Sequence, residues 1–198
     1  MSTIPSLDQA LADTAGHGPL VEALSTLFEA SPILQEHLAP QVAKTLQSQI
    51  VASYSDLIDL TLDTIQSGWD DNLKAQFIEG HPRIGEVNNL SHLSSKEQAA
   101  VATPPEVLAR LGHLNACYGY RYPGLRYITF VNGRSRAAIM EEMEDVLGIP
   151  RSLSATDPVV ESIGQVEVGS EAWKTELERA VGDVGKIAKS RLRALGVE

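Results

Sequence analysis

"RYITFVNG", Arg126–Gly133, settles whether this chain contains a β-sheet. Tyr127-Ile128-Thr129-Phe130-Val131 is β-branched or aromatic at every position, and Asn132-Gly133 closes it with a turn signal. It is the only strongly strand-like run in the sequence. A lone strand leaves its backbone N–H and C=O groups without a ladder and makes no sheet. We therefore read 127–131 as a buried, extended connector whose backbone must find partners elsewhere.

On either side the pattern is helical. Downstream, Ser135 caps a helix carrying Ile139, Met143, Val146 and Leu147, stopped by Gly148 and Pro150. Upstream, Thr103-Pro104-Pro105-Glu106 reads as a helix start, with Thr103 capping, Pro in the first turn and Glu106 reaching back. Val107, Leu108, Leu111, Leu114, Asn115 and Tyr118 mark one face of that helix, and Tyr122-Pro123-Gly124 ends it. Helical spacing also links Leu20, Val21, Leu24, Leu27 and Phe28, and then Val42, Leu46 and Ile50. Ser55-Asp56 opens a helix with Leu57, Ile58, Leu62 and Ile65, and Trp69, Leu73, Phe77 and Ile78 continue it to Gly80. Residues 151–169 form a polar excursion, a lid or a surface loop, before a last helix from about Glu171 to Gly196. That helix carries Trp173, Leu177, Val184, Ile187, Leu192 and Leu195. The expectation is an all-α fold of about seven or more helices, forming one domain over 1–198, with a single extended connector.

Composition narrows the function classes. No apolar run approaches the roughly 20 residues needed to span a bilayer, and Met1-Ser-Thr-Ile-Pro lacks the pattern of a secretory signal. The single cysteine, Cys117, fits a reducing compartment and, on its helical face, a small buried thiol. The C-terminal Gly196-Val197-Glu198 differs from the peroxisomal address. A net charge of −10 argues against nucleic-acid or anionic-membrane binding. That charge is uneven. Val107 to Met140 contains no Asp, Glu or Lys but holds Arg110, Arg121, Arg126, Arg134 and Arg136, with Tyr118, Tyr120, Tyr122 and Tyr127 among them. Such a zone either reserves a place for a small anion or pairs with acids elsewhere in the fold.

Two short motifs carry candidate chemistry. His81 follows the Gly80 stop, and Pro82 disfavours a helical backbone for it. A ring on a rigid turn can be aimed for proton transfer, although spacing alone favours an ordinary polar residue after a helix end. Ser94-x-x-Glu97-Gln98 reads first as a capping box. The same helix N-terminus would also offer N–H groups, a carboxylate and a carboxamide to a planar, amide-rich ligand. His81, His92, His113 and Glu86 lack zinc-ligand spacing, and no phosphate loop, dinucleotide fingerprint or nucleophile elbow is present.

Taken in order, the motifs resemble the 2-oxo-4-hydroxy-4-carboxy-5-ureidoimidazoline (OHCU) decarboxylases of urate degradation. The run is His81-Pro82, Ser94-x-x-Glu97-Gln98, Leu114-Asn115-x-x-Tyr118-x-x-Arg121, Tyr127-Ile128, Gly133-Arg134-Ser135 and Lys186-Ile187-Ala188-x-x-Arg191-Leu192. Two departures stand out. Tyr122–Tyr127 replaces a Phe-Gly-Phe-Pro-Phe-like run and is about one residue longer, and Asn132 occupies an often basic position. The resemblance implies an all-α, cofactor-independent and metal-free lyase, an intracellular homodimer of cytoplasm or peroxisome, that converts a small anionic substrate, OHCU, to (S)-allantoin. It places the catalytic histidine at His81. Substrate contacts would come from Pro82, from Ser94, Ser95, Lys96, Glu97 and Gln98, and from the Tyr127, Ile128, Thr129, Phe130 and Val131 backbone. Arg134 would bind the substrate's anionic group. Other classes remain: a non-enzymatic helical module docking an acidic partner, or a histidine-based hydrolase of a small cyclic amide.

Overall fold

The computed structural model describes residues 4–86, 93 and 103–197. Among these the chain is all-α. It has eight α-helices and no strand: α1 (Leu7–Ala12), α2 (Pro19–Phe28), α3 (Ala39–Leu46), α4 (Tyr54–Gly68), α5 (Asp71–Glu79), α6 (Pro105–Arg121), α7 (Arg136–Leu147) and α8 (Glu171–Leu195). A π-helical turn at Leu34–Leu38 leads into α3, and a 3-10 turn occupies Val160–Ser162. No described helix is long and apolar enough to cross a membrane. The fold divides into two compact units, Met1–His81 with Glu178–Glu198, and Pro82–Leu177.

In the first unit, α2, α3, α4 and α5 bury their apolar stripes. Leu20, Leu24, Leu27, Phe28, Leu57, Ile58, Phe77 and Ile78 are buried together with Leu34 and Leu38 of the π-helical turn. Each such side chain contributes about 1.5–3 kcal/mol through removal from water. Phe77 sits among aromatics, its centroid 6.3 Å from Phe28 and 6.0 Å from Trp69. Toward the C-terminus of α8, Arg191 is buried; it donates to the Leu27 carbonyl and forms an ion pair with Glu29 at 2.5 Å.

Several boundaries differ from the sequence expectation, each for a local reason. The helix after Ser53 begins at Tyr54, because Ser53 Oγ accepts the Asp56 N–H at 3.1 Å and is the cap, two residues ahead of Ser55. It does not run on to Gly80. Trp69 is extended (φ −106°, ψ 144°), and Asp70 caps a new helix by accepting the Leu73 N–H at 2.9 Å. An aspartate that bonds the backbone beyond it competes with helix continuation. Ile50 leaves the face shared with Val42, since α3 ends at Leu46 and Ile50 is 99% exposed. Short α1 carries a capping box between Ser6 and Gln9 that the apolar spacing did not reveal.

In the second unit, α6 packs on α7. At the start of α6, Pro104 is the N-cap and no side chain caps it; Thr103 instead accepts from Arg136 at 3.3 Å. The start of α7 follows expectation, with Ser135 Oγ accepting the Ala138 N–H and Gly148 left-handed at φ 66°. Cys117 is buried, and burial pushes its thiol pKa up against the opposing pull of Arg110. It is a packing residue, as the spacing suggested.

The excursion after α7 is tied down. Arg110 and Glu144 form an ion pair at 2.8 Å with both side chains fully buried. Arg110 also donates to the carbonyls of Ser154, at 2.9 Å, and Asp157, while Glu144 accepts the Ser152 N–H at 3.0 Å. His113 donates to Pro158 O at 2.9 Å, and Val166 N–H donates to Arg121 O at 2.7 Å. The polar segment is thus anchored at residues 152–158 and at Val166 to α6 and α7.

Candidate active site

His81 stands immediately after α5. Its backbone N–H closes onto Ile78 O at 3.1 Å, so the last helical turn fixes where the side chain emerges. The ring is 5% exposed and meets Phe77 edge-on, with centroids 5.0 Å apart. Its Nδ1 lies 3.0 Å from the Phe77 carbonyl. A carbonyl oxygen only accepts, so Nδ1 carries the proton in this contact. The neutral ring therefore has its basic lone pair on Nε2, the arrangement a positioned proton carrier needs.

Gly80 is the helix stop that the sequence indicates, ending α5 as its C-cap without turning left-handed. Its φ is −66°, an ordinary helical value. What it supplies is absence of bulk: a Cβ there would lie 2.8 Å from Ser31 Cβ. The Ser31 side chain packs against the residue before His81 because position 80 has no side chain.

Pro82 begins the second unit and is partly exposed. The next turn is pinned to α6. Asn115 Nδ2 donates to Ile84 O at 3.0 Å and to Leu111 O at 2.8 Å, which gives the Leu114-Asn115 motif a concrete role. Ser94, Ser95, Lys96, Glu97 and Gln98 lie outside the described residues.

The connector follows expectation in the same unit. Residues 126–131 belong to no helix or strand, Tyr127, Ile128 and Thr129 are buried, and Phe130 and Val131 are partly exposed. Asn132 (φ 47°) and Gly133 (φ 74°) turn the chain, and Arg134 N–H donates back to Val131 O at 2.9 Å. One carboxylate of α7 gathers this segment. Glu142 Oε1 accepts from Tyr127 Oη at 2.5 Å and from Thr129 Oγ1 at 2.9 Å, and its Oε2 pairs with Arg134 Nη1. Arg134 also donates to Val131 O at 3.0 Å, Thr129 Oγ1 at 2.9 Å and Phe130 O at 2.5 Å. The guanidinium read from sequence as an anion grip is here engaged with Glu142 and with the backbone it follows.

The OHCU decarboxylase family model matches residues 14–152, more than half of the chain. The chain belongs to the OHCU decarboxylase family. No individually curated protein matches it. Membership makes it an enzyme of a carboxy-lyase family whose reaction is decarboxylation of a small molecule in purine degradation. In this OHCU decarboxylase-family chain, sequence reasoning overlooked Glu142 and the Phe77 carbonyl. Glu142 carried a usable signal, as an acid on the helix that begins just after Arg134. A backbone carbonyl leaves no trace in residue identity.

Proposed function

We propose that the protein decarboxylates OHCU to (S)-allantoin, with His81 moving the proton and no cofactor. The observation that carries this reading is the hydrogen bond from His81 Nδ1 to Phe77 O, which selects the tautomer with a basic Nε2 on a buried, oriented ring. Losing CO2 leaves an electron pair on carbon, and the conjugated carbonyl and imine groups of OHCU accept it. The protein then supplies orientation, matched polar groups and a controlled proton. In this reading Pro82, Ser94, Ser95, Lys96, Glu97, Gln98 and the 127–131 backbone bind substrate. Delivery of the proton from one face gives one hand of the product. The homodimer and a cytoplasmic or peroxisomal location belong to the same proposal.

A docking module built on the arginine zone would need those cations turned outward, whereas Arg110 and Arg134 are committed to Glu144 and Glu142. The test is turnover of freshly prepared OHCU, followed by CO2 release and by the optical activity of the product. His81→Ala should lower turnover by at least about a hundred-fold with the unfolding transition retained. Near wild-type turnover by that variant would reject His81, and an inactive wild-type protein would reject the substrate.

A further inference from the structure

The geometry points to Glu142 as a positioning residue for the reaction, acting on substrate through the connector and not by touching it. The inference rests on the proposed role of the 127–131 backbone in binding OHCU.

A binding edge made of main-chain groups has to be rigid. Side chains contribute to holding this one. Tyr127 and Thr129 are two residues apart, so an extended backbone sends both to one side, and both donate to Glu142 Oε1. Glu142 Oε2 holds Arg134, which reaches back to the carbonyls of Phe130 and Val131. One carboxylate on a rigid helix therefore fixes the segment at its beginning, middle and end. The charge pair itself is about one-third exposed, at 36% and 34% for the two side chains. Pairs with that much solvent add little to stability. Arg134 becomes the second positioning residue of the same clasp, with its donors directed at the connector.

The experiment compares full-length wild type, Glu142→Ala, Glu142→Gln and Tyr127→Phe for kcat and KM on OHCU, with thermal unfolding of each. His81→Ala serves as the active-site control. A binding edge that is no longer held must be ordered at each binding event, so Glu142→Ala should raise KM by about ten-fold while its unfolding midpoint moves little. Glu142→Gln keeps an oxygen for Tyr127 and Thr129 and loses only the charge, so it should recover a large part of the loss. Tyr127→Phe, which removes one hydrogen bond and keeps the ring, should show a smaller rise and covers the case in which Glu142→Ala does not fold. Unchanged KM in the folded Glu142 variants, beside an active wild type and a dead His81→Ala, overturns the positioning role alone. A lowered midpoint with unchanged KM overturns it equally, because it shows a purely structural clasp. A wild type inactive on OHCU removes the substrate assignment first, and this inference with it.

Discussion

Glu142 and Glu144 sit two residues apart on α7, and each holds an arginine. At about 100° per residue they leave the helix on nearly opposite sides. Glu144 goes inward to Arg110, where both side chains are wholly excluded from water and the pair ties the 152–157 backbone. Glu142 goes to Arg134, where about a third of each side chain still meets solvent and the pair ties the connector. The chemistry is the same and the surroundings differ. In the dry pair, loss of one partner strands a charge; in the wet pair, water replaces the partner. The first is therefore expected to bear mainly on the stability of the second unit, and the second on the placement of one of its segments.

The largest expected effect tests the dry side. Glu144→Ala leaves the Arg110 guanidinium buried without its counter-charge and should lower stability by about 3–5 kcal/mol, measured by urea unfolding. A loss no greater than that from Glu142→Gln, expected near 0.5 kcal/mol, would erase the distinction. The double replacement Arg110→Met with Glu144→Leu sharpens it. Removing both charges should restore most of the loss, since apolar residues of similar volume often substitute for a buried pair. Glu144 Oε2 is itself buried without a hydrogen-bond partner, so the native pair is imperfectly satisfied. The carbonyls of Ser154 and Asp157 would still lose their donor. Amide exchange across 152–157 should therefore rise even in a stable double variant. Unchanged exchange there would mean the excursion is held by other contacts.

These two pairs also mark how far the sequence could be read. Ser135, Gly148, Asn132 and Gly133 act on chain within a few residues, so their caps and turns were visible in the letters. The connector was legible because β-branched and aromatic residues cluster once and only once. The arginine zone stayed ambiguous for a physical reason. Arg110 meets Glu144 across 34 residues, and no local pattern announces a partner at that distance. The missed break at Trp69 arose because apolar spacing stays nearly in phase across it, while the deciding signal was the Asp70 cap. Gly80 was legible as a boundary, but its close approach to Ser31 was not, because Ser31 lies far away in sequence. His81 was legible as a candidate; the carbonyl that chooses its tautomer was not.

A carboxylate can also be held with no cation, and Asp13 measures that limit. Burial alone would raise its pKa, but the backbone N–H groups of Gly18, Leu20, Gly16 and His17 together lower it below the usual 3.8. The closest is Gly18 N–H at 2.7 Å, and the Leu20 N–H lies in the first turn of α2. Since the folded pKa is depressed, this stabilisation is complete above the ordinary carboxylate value and is lost as pH falls through the folded one. Asp13→Ala should cost about 1 kcal/mol at neutral pH, the scale of a helix cap. The gap from wild type should close below about pH 3.8. A gap independent of pH would show that the loss comes from loop geometry and not from the charge.

The smallest effect lies on α7 again. Arg151 pairs with Glu141 at 2.8 Å and Asp145 at 3.2 Å, with all three side chains roughly half exposed or more. If burial sets the worth of an ion pair, then this two-partner pair should rank below the single-partner pairs of Glu144 and Glu142. Water and salt screen each contact, and ordering three long side chains costs entropy. Arg151→Ala should leave the urea midpoint unresolved from wild type at high salt and barely displaced at low salt. A loss comparable to that of Glu142→Gln, persisting at high salt, would mean that the number of partners matters more than exclusion of water. The ordering of the three α7 pairs would then have to be rebuilt on geometry.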